Sequence, residues 1–343
     1  MLMPDFLAAA WDIDETDFPR YGLPSARLAF LLRYAVLAPS THNTQPWIFQ
    51  VRGDRVSILF DRTRALPVVD PHDRLATMSC GAALFNLRLA IRHFGYNCEV
   101  QILPDPHHPD LLATVRLGGD AHPTEDEERL FAAITRRHTN RKPYSDRPVP
   151  RNVILALESE AEEEGAWLHI VEDWSQREAL ASLVSEGDRV QWGDEQFRLE
   201  LAGWIRPNVG EVHDGVPGRS MGYNPVMSAV APAIIRTFDR GGGVAAHDRD
   251  LVEGSPLMAV VGTHGDSTYS WVEAGQAVQA VLLRATAEGL SASFLNQPVE
   301  LSYLRERLAF AIGRRDYPQM VMRLGYGPSV LPSPRRLPGE VMR

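Results

Sequence analysis

The chain has 343 residues, 44% of them hydrophobic, with 44 acidic side chains against 35 lysines and arginines and a formal charge of −9. That length exceeds what one core usually serves and suits two lobes, while the negative balance argues against nucleic acid as a partner. No apolar run reaches bilayer-spanning length, the opening MLMPDFLAAAWDID lacks the basic start and cleavage pattern of a signal peptide, and Cys80 and Cys98 form no CxxC pair, so a cytoplasmic protein with reduced thiols and no membrane partner is expected.

The first expected element is a helix, with Ser25 placed as its cap and Leu28, Leu31, Leu32, Ala35 and Val36 at helical spacing. It ends in the decapeptide Ala38 to Trp47, APSTHNTQPW, and the run Ile48-Phe49-Gln50-Val51 follows as a strand. The loop between its two prolines carries Ser40, Thr41, Asn43, Thr44 and Gln45. By composition alone this is a capped turn with solvated side chains. The same five groups on a stiff, scaffolded loop also suit a ligand that is polar and flat. Met78 to Gly95 reads as a long helix and Val115-Arg116-Leu117-Gly118 as a strand. His107 and His108, between prolines and without further spaced ligands, read as a solvated loop rather than a metal site.

A helical pattern at Leu130, Ala133 and Ile134 runs into Arg137-His138-Thr139-Asn140-Arg141. Taken alone, a basic pentamer is first a solvated helix end, although guanidinium forks beside a hydroxyl also match what a phosphate dianion requires. Glu158 to Glu164 reads as a solvated acidic helix end and Trp167 to Val171 as a strand. From about Gln191 to Asp250 sustained periodicity is lost, yet Trp204, Met221, Tyr223, Met227 and Phe238 keep the stretch apolar, which predicts a functional irregular insertion rather than disorder. A second long helix covers about Trp271 to Glu288. Gly289 to Pro298 (GLSASFLNQP) then reads as a C-cap glycine and connector, Met320 to Gly325 as a strand, and Pro334 to Pro338 as a basic tail.

Several pieces recur in the same order. The two long helices each carry two glycines 14 positions apart, with Leu89 and Leu283 in the same register. Val115 to Gly118 recurs as Met322 to Gly325, and Trp47 to Val51 as Trp167 to Val171. The chain therefore reads as two fused halves, residues 1–130 and 131–343, with an insertion at 191–250. In the second half the counterpart of APSTHNTQPW is Glu160 to Ala166, whose four carboxylates repel an anion; the first half has only Pro19-Arg20-Tyr21-Gly22 in place of the basic pentamer. One site is complete and its twin is lost.

APSTHNTQPW resembles the PS-x-x-N-x-QPW segment of the nitroreductase-like FMN flavoproteins. Over roughly residues 25 to 340 the chain is most similar to the Acg-type branch, whose members are fused, two-half and single-flavin. The resemblance implies an α+β nitroreductase-like fold, with two tandem halves forming an intramolecular pseudo-dimer that acts as a monomer. It implies one FMN per chain, with Pro39, Ser40, Thr41, Asn43 and Gln45 at the ring and ribityl chain. Arg137, Thr139 and Arg141 are implied at the phosphate, joined by Arg335 and Arg336 of the tail, with Arg336 the better positional match, and Asn140 is implied among the cofactor-binding residues. Pro334 stands where another basic residue is common, which implies a lighter clamp. Phe294, Leu295 and Asn296 would pass the ring's pyrimidine edge and N5 with their backbone. The implied reaction moves a hydride from NAD(P)H through flavin N5 to a nitroaromatic or quinone-like small molecule, with the insertion as a lid. No catalytic acid or base is assigned, because Ser40 and His42 lack the third, orienting group of a nucleophilic site. The same branch leaves a second expectation, an FMN-sequestering protein whose lid shuts acceptors out.

Overall fold

Pro24, whose missing N–H costs nothing in a first helical turn, opens helix α1 (Pro24–Ala35), with Leu23 in the cap position. Ser25, expected to be the cap, lies inside that first turn instead. The computed structural model describes residues 9–343. Strands β1 (Trp47–Arg52), β2 (Arg55–Phe60), β3 (Tyr96–Ile102) and β4 (Leu111–Asp120) form an antiparallel sheet in the order β1-β2-β4-β3. Helix α2 (Arg74–His93) connects β2 to β3, and α3 (Glu125–Ile134) closes this half behind a Thr124–Glu127 capping box. The boundary expected at residues 130 and 131 falls inside α3, whose Leu130, Phe131, Ala133 and Ile134 pack into the first core.

The second half repeats the plan. Helix α4 (Arg151–Glu163) precedes β5 (Trp167–Ile170), and β6 (Leu257–Thr263), β7 (Ser291–Phe294) and β8 (Tyr317–Gly325) complete a second antiparallel sheet in the order β5-β6-β8-β7. The repeats expected from sequence occupy matching strands: the two Trp-led runs are β1 and β5, and the two Arg-Leu-Gly runs lie in β4 and β8. Helix α9 (Thr268–Ala287) is the counterpart of α2, and the two cross where neither tolerates a side chain. A Cβ on Gly81 would lie 2.4 Å from Val272 O, and one on Gly275 would lie 2.1 Å from Met78 O. Met78 and Gly81 are the repeat equivalents of Val272 and Gly275, so the contact is reciprocal about a pseudo-two-fold axis. Each central helix also feeds the opposite core: Val272, Ala280 and Leu283 pack into the first, Leu75 and Met78 into the second.

The halves differ at one connection. β1 and β2 are joined by the turn Gly53-Asp54, whereas residues 171–256 separate β5 from β6. This insertion is longer than the expected 191–250 and is not irregular, since it holds α5 (Trp174–Gly193), α6 (Glu195–Trp204), α7 (Pro225–Thr237) and α8 (Gly241–Glu253). Helix α7 escaped notice because its outer face is also apolar, with Val226, Met227 and Val230 exposed, which erases the contrast that reveals a 3.6 period. Its start was nonetheless written in Asn224-Pro225, a capping side chain followed by proline at N1.

The acidic end of α4 is solvated as expected at Glu162 and Glu163 but not at its other carboxylates. Glu160 is buried and accepts from Arg284 Nε at 2.8 Å, and Glu164 pairs with Arg88 at 2.5 Å. These bonds tie α4 to the two central helices. His107 and His108 lie exposed on a turn, with His108 Nδ1 at 2.7 Å from Asp105. Cys80 and Cys98 are free thiols, and burial pushes the pKa of each up. Among the described residues no helix is long and apolar enough to cross a membrane.

Candidate functional site

The loop after α1 has an unusual backbone. His42, Asn43 and Gln45 all adopt left-handed φ values of 51°, 56° and 52°, a conformation that costs a non-glycine residue about 1–3 kcal/mol and persists only where the surroundings fix it. Two segments fix it. From the insertion, Gly215 N donates to Asn43 O at 3.1 Å, while Asn43 Nδ2 donates to Gly215 O at 3.0 Å and Gln45 Nε2 to His213 O at 2.8 Å. From the tail, Pro334 O accepts from Asn43 Nδ2 at 3.0 Å, Arg335 Nη1 donates to Asn43 Oδ1 at 2.8 Å, and Arg336 N donates to Gln45 Oε1 at 2.8 Å. The side chains of Asn43 and Gln45, expected to meet a ligand, are thus taken up in holding this strap and tail. Ser40 Oγ accepts from Gln45 N at 2.8 Å and keeps its own hydrogen to donate; Pro39 and Thr41 are half-buried beside it.

The basic groups converge behind this loop. Arg137 and Arg335, 3% and 4% exposed, come from opposite ends of the second half and donate to the same acceptor, Leu37 O, at 3.3 Å each. Neither is ion-paired among the described residues, and the Nε of each is buried without a partner. Burial pulls Arg137 down to about 10, and burial followed by the neighbouring Arg137 charge pulls Arg335 well below its ordinary value. Two adjacent buried cations with unfilled donors and no counter-charge are costly for the protein alone, because burial removes the water that solvates them. They form the donor set for a dianion. His138, whose Nδ1 is also buried and unpartnered, rests edge-on against Trp11 at 4.6 Å, and burial holds its pKa down at about 3.

Arg141 lies apart from this pair. Its side chain is accessible, yet protein surrounds it on most sides, as befits a group lining a cleft; desolvation lowers its pKa, with Asp248 opposing and Arg323 adding to the shift. His42 shares that end. Burial, then the Arg141 charge, brings its pKa down to about 4, so it is a neutral imidazole with an unpartnered Nε2. Arg323, 1% exposed, donates through Nη2 to the carbonyls of Asn140 and Lys142 at 3.2 and 3.0 Å and stacks 4.1 Å above the Tyr144 ring, leaving Nε and Nη1 without partners. The sequence reading passed over Arg323 as an ordinary strand residue. Its signal was a lone guanidinium in the middle of the apolar run Met320 to Leu324.

The pentamer is laid along β7. Thr139 bridges to Ala292, Asn140 N donates to Ala292 O at 2.8 Å, and Asn140 Nδ2 donates to Ser291 Oγ at 3.0 Å and Pro328 O at 2.7 Å. Asn140 is therefore a brace rather than a free ligand group. Further along, Leu295 is buried and bonded to Val321 O at 3.0 Å, and the Asn296 side chain accepts from Val321 N at 3.0 Å. The backbone here is committed as well, since Phe294 pairs with Met322 in the sheet and Asn296 O accepts from Val299 N and Glu300 N at 2.8 and 3.0 Å. Arg336 departs from expectation. It donates to Gln45 O at 3.2 Å and Glu340 O at 2.8 Å and lines a separate cavity of about 380 Å³ with Arg64, His213 and Asp214 beyond the strap, so Arg335 is the tail residue that joins Arg137.

No protein-family model matches the chain. Among curated proteins it is 32% identical over 317 residues to "Putative NAD(P)H nitroreductase Rv3131" of Mycobacterium tuberculosis (strain H37Rv), covering 91% of this chain and 90% of that one. It is 29% identical over 317 residues to "Putative NAD(P)H nitroreductase acg" of the same strain, covering 90% and 91%. Among solved structures, the FMN-dependent nitroreductase NfnB from Mycobacterium smegmatis in complex with NADPH superposes on 64% of this chain and 97% of its own, at 15% identity and a TM-score of 0.40. With a third of its residues shared across nine-tenths of both chains in the first of these alignments, the chain belongs to the NAD(P)H nitroreductase family.

Proposed function

We propose that the protein is an FMN-dependent NAD(P)H oxidoreductase that binds one FMN per chain, works as a monomer and reduces a nitroaromatic or quinone-like acceptor. The observation that carries this reading is the Arg137–Arg335 pair, buried without a carboxylate and sharing one carbonyl. A phosphate dianion supplies the charge the pair lacks and accepts from both forks. The names of the relatives, NAD(P)H nitroreductases, support the donor and the acceptor class. FMN, when bound, supplies the hydride chemistry at its N5.

The chain's own part is to bind, orient and shield. Arg137 and Arg335 hold the phosphate with the Thr139 hydroxyl between them in sequence, and Ser40 offers its free hydrogen from the left-handed loop. The backbone of Phe294 to Asn296 borders the ring. Arg141 and Arg323 keep the far end of the cleft positive, which favours negative charge arriving there during reduction. The strap at His213 to Gly215 covers the loop and excludes water.

That strap also supports a second reading, a protein that sequesters FMN and admits no acceptor. Protein purified without added flavin is expected to be yellow, to release one FMN per chain on denaturation, and to bleach when mixed anaerobically with NADH or NADPH. Colourless protein that takes up no FMN overturns the reading. Yellow protein that dithionite bleaches and neither nicotinamide does establishes sequestration instead.

A further inference from the structure

The insertion is fastened to the turn Gln297–Glu300, which follows β7, by side chains that no cofactor contact requires. Gln297 Nε2 donates to Asp188 Oδ1 on α5 and to Asp248 Oδ2 on α8, at 2.9 Å each. Three residues along each element the pairing recurs in reverse, where Gln191 of α5 donates to Glu300 of the turn at 2.6 Å. The elements meet this closely because position 187 is glycine; a Cβ there would lie 2.6 Å from Cβ of Gln297. Two bonds leaving one amide nitrogen diverge by about 120°, which puts the Asp188 and Asp248 oxygens about 5 Å apart.

The three carboxyls differ in their cations. Asp188, 2% exposed, faces Asp248 and Glu300, with the Gln297 hydrogen bond and the Arg189 charge opposing them. Asp248 faces Arg141, Arg323 and His247, and Glu300 faces Arg74 against Asp70 and Glu200. Burial is the largest influence on all three and pushes each up, Asp188 to about 8 and Glu300 to about 7. Two buried carboxyls sharing one amide do not both ionise freely, so the proton stays with the member that has fewer cations, Asp188. An independent observation agrees. Asp188 Oδ2 and Gln297 Oε1 are both buried acceptors without a partner, and a carboxylic acid complements a carboxamide by taking one N–H and giving back one O–H.

We propose that neutral Asp188, with Glu300 beside it, forms a proton-operated clasp that fastens the insertion over the cofactor cleft and loosens when these carboxyls ionise. The clasp itself does not depend on the FMN reading; only its consequence for the cofactor does. Released into water, both groups return to ordinary carboxyl pKa values of about 4. The closed form therefore holds protons that the open form has lost between about pH 4 and pH 8, and its advantage falls as pH rises through that window and is gone above the closed-form values. Because Asp248 lies near Arg141 and Arg323, opening the clasp uncovers the positive end of the cleft.

Infrared titration and hydrogen exchange of the intact protein test this together. The C=O band of neutral carboxyl groups should persist at about pH 6.5 and vanish by about pH 9. Over the same interval, protection of α5, α8 and the Gln297–Glu300 turn, corrected for chemical exchange, should drop roughly tenfold or more, since each pK unit is worth a factor of ten. Asp188→Asn supplies the amide a complement that needs no proton, so it should lose part of the band and keep more of its protection than the wild type at about pH 9. Glu300→Gln should do the same for its share, and serves if Asp188→Asn does not fold. In yellow protein, FMN release should quicken with pH in the wild type and markedly less in Asp188→Asn. A wild type without neutral-carboxyl signal above about pH 6, or an Asp188→Asn with the wild-type pH dependence, overturns the clasp. The infrared and exchange arms read equally well in colourless protein, so failure of the FMN reading leaves them decisive.

Discussion

On the proposed reading, Arg137 and Arg335 are residues placed for a partner that the polypeptide does not contain. Each is buried with donors unfilled, so removing one acts oppositely on the empty and the loaded protein. Arg137→Ala or Arg335→Ala should weaken FMN by about 1.5–3 kcal/mol, ten- to a hundredfold, through loss of a charge-assisted fork. Riboflavin, which has no phosphate, should be affected far less. The same substitutions relieve a buried uncompensated charge and should raise the melting temperature of flavin-free protein while lowering that of the FMN complex. Arg141→Ala should weaken FMN and riboflavin alike, because Arg141 sits with His42 and Arg323 rather than with the pair. Paired fluorescence titrations with the two flavins and melting curves separate these outcomes; equal losses for both flavins in Arg335→Ala would remove it from the phosphate. Much of this was legible in APSTHNTQPW and in the basic pentamer. What the residues could not disclose was how Asn43, Gln45 and Asn140 are used, since their partners lie 151 to 292 positions away: His213, Gly215, Pro334, Arg335 and Arg336 for the first two, Ser291 and Pro328 for Asn140.

At the scale of elements, the crossing of α2 and α9 is the joint on which both halves depend. Gly81 and Gly275 each stand where a methyl group would strike a backbone carbonyl, an obstacle that cannot swing aside as a side chain does. Gly81→Ala and Gly275→Ala should each destabilise the protein by about 2–3 kcal/mol, the range for forced overpacking, and by similar amounts because the positions are equivalent. Urea unfolding of the two variants checks both the size and the match. A difference of several-fold between them would mean that the crossing is not the reciprocal contact described. The strands and the central helices were readable because one buried face gives a clear period. Helix α7 was not, because proline and an outer face as apolar as the inner one removed that contrast, and α8 opens on three glycines. The acidic stretch at Glu160 was misread for a different reason: Arg284, which neutralises it, is 124 positions distant.

For the whole molecule, the proposed reading makes the insertion the gate to the cleft. Replacing residues 205–224, which carry the strap, by a short glycine-serine linker should speed FMN release and, if acceptors are admitted only when the strap lifts, raise the rate at which nicotinamide bleaches the flavin. Stopped-flow reduction of the intact and shortened proteins measures this; identical rates would show that the strap neither gates nor seals. The fused arrangement has a further consequence, set by the contrast between the Gly53-Asp54 turn and the 171–256 insertion at equivalent places. In a symmetric pair of separate subunits every inherited change is written at both sites at once. Here each change is written once, which on the proposed reading left one copy of the loop free to hold FMN while the other serves as a joint, with Glu160 and Glu164 bound to Arg284 and Arg88. Natural variants in the two copies should therefore differ in kind: those that remove the Ser40 hydroxyl leave an abundant protein that holds FMN less tightly, and those at Glu160 leave a scarce one.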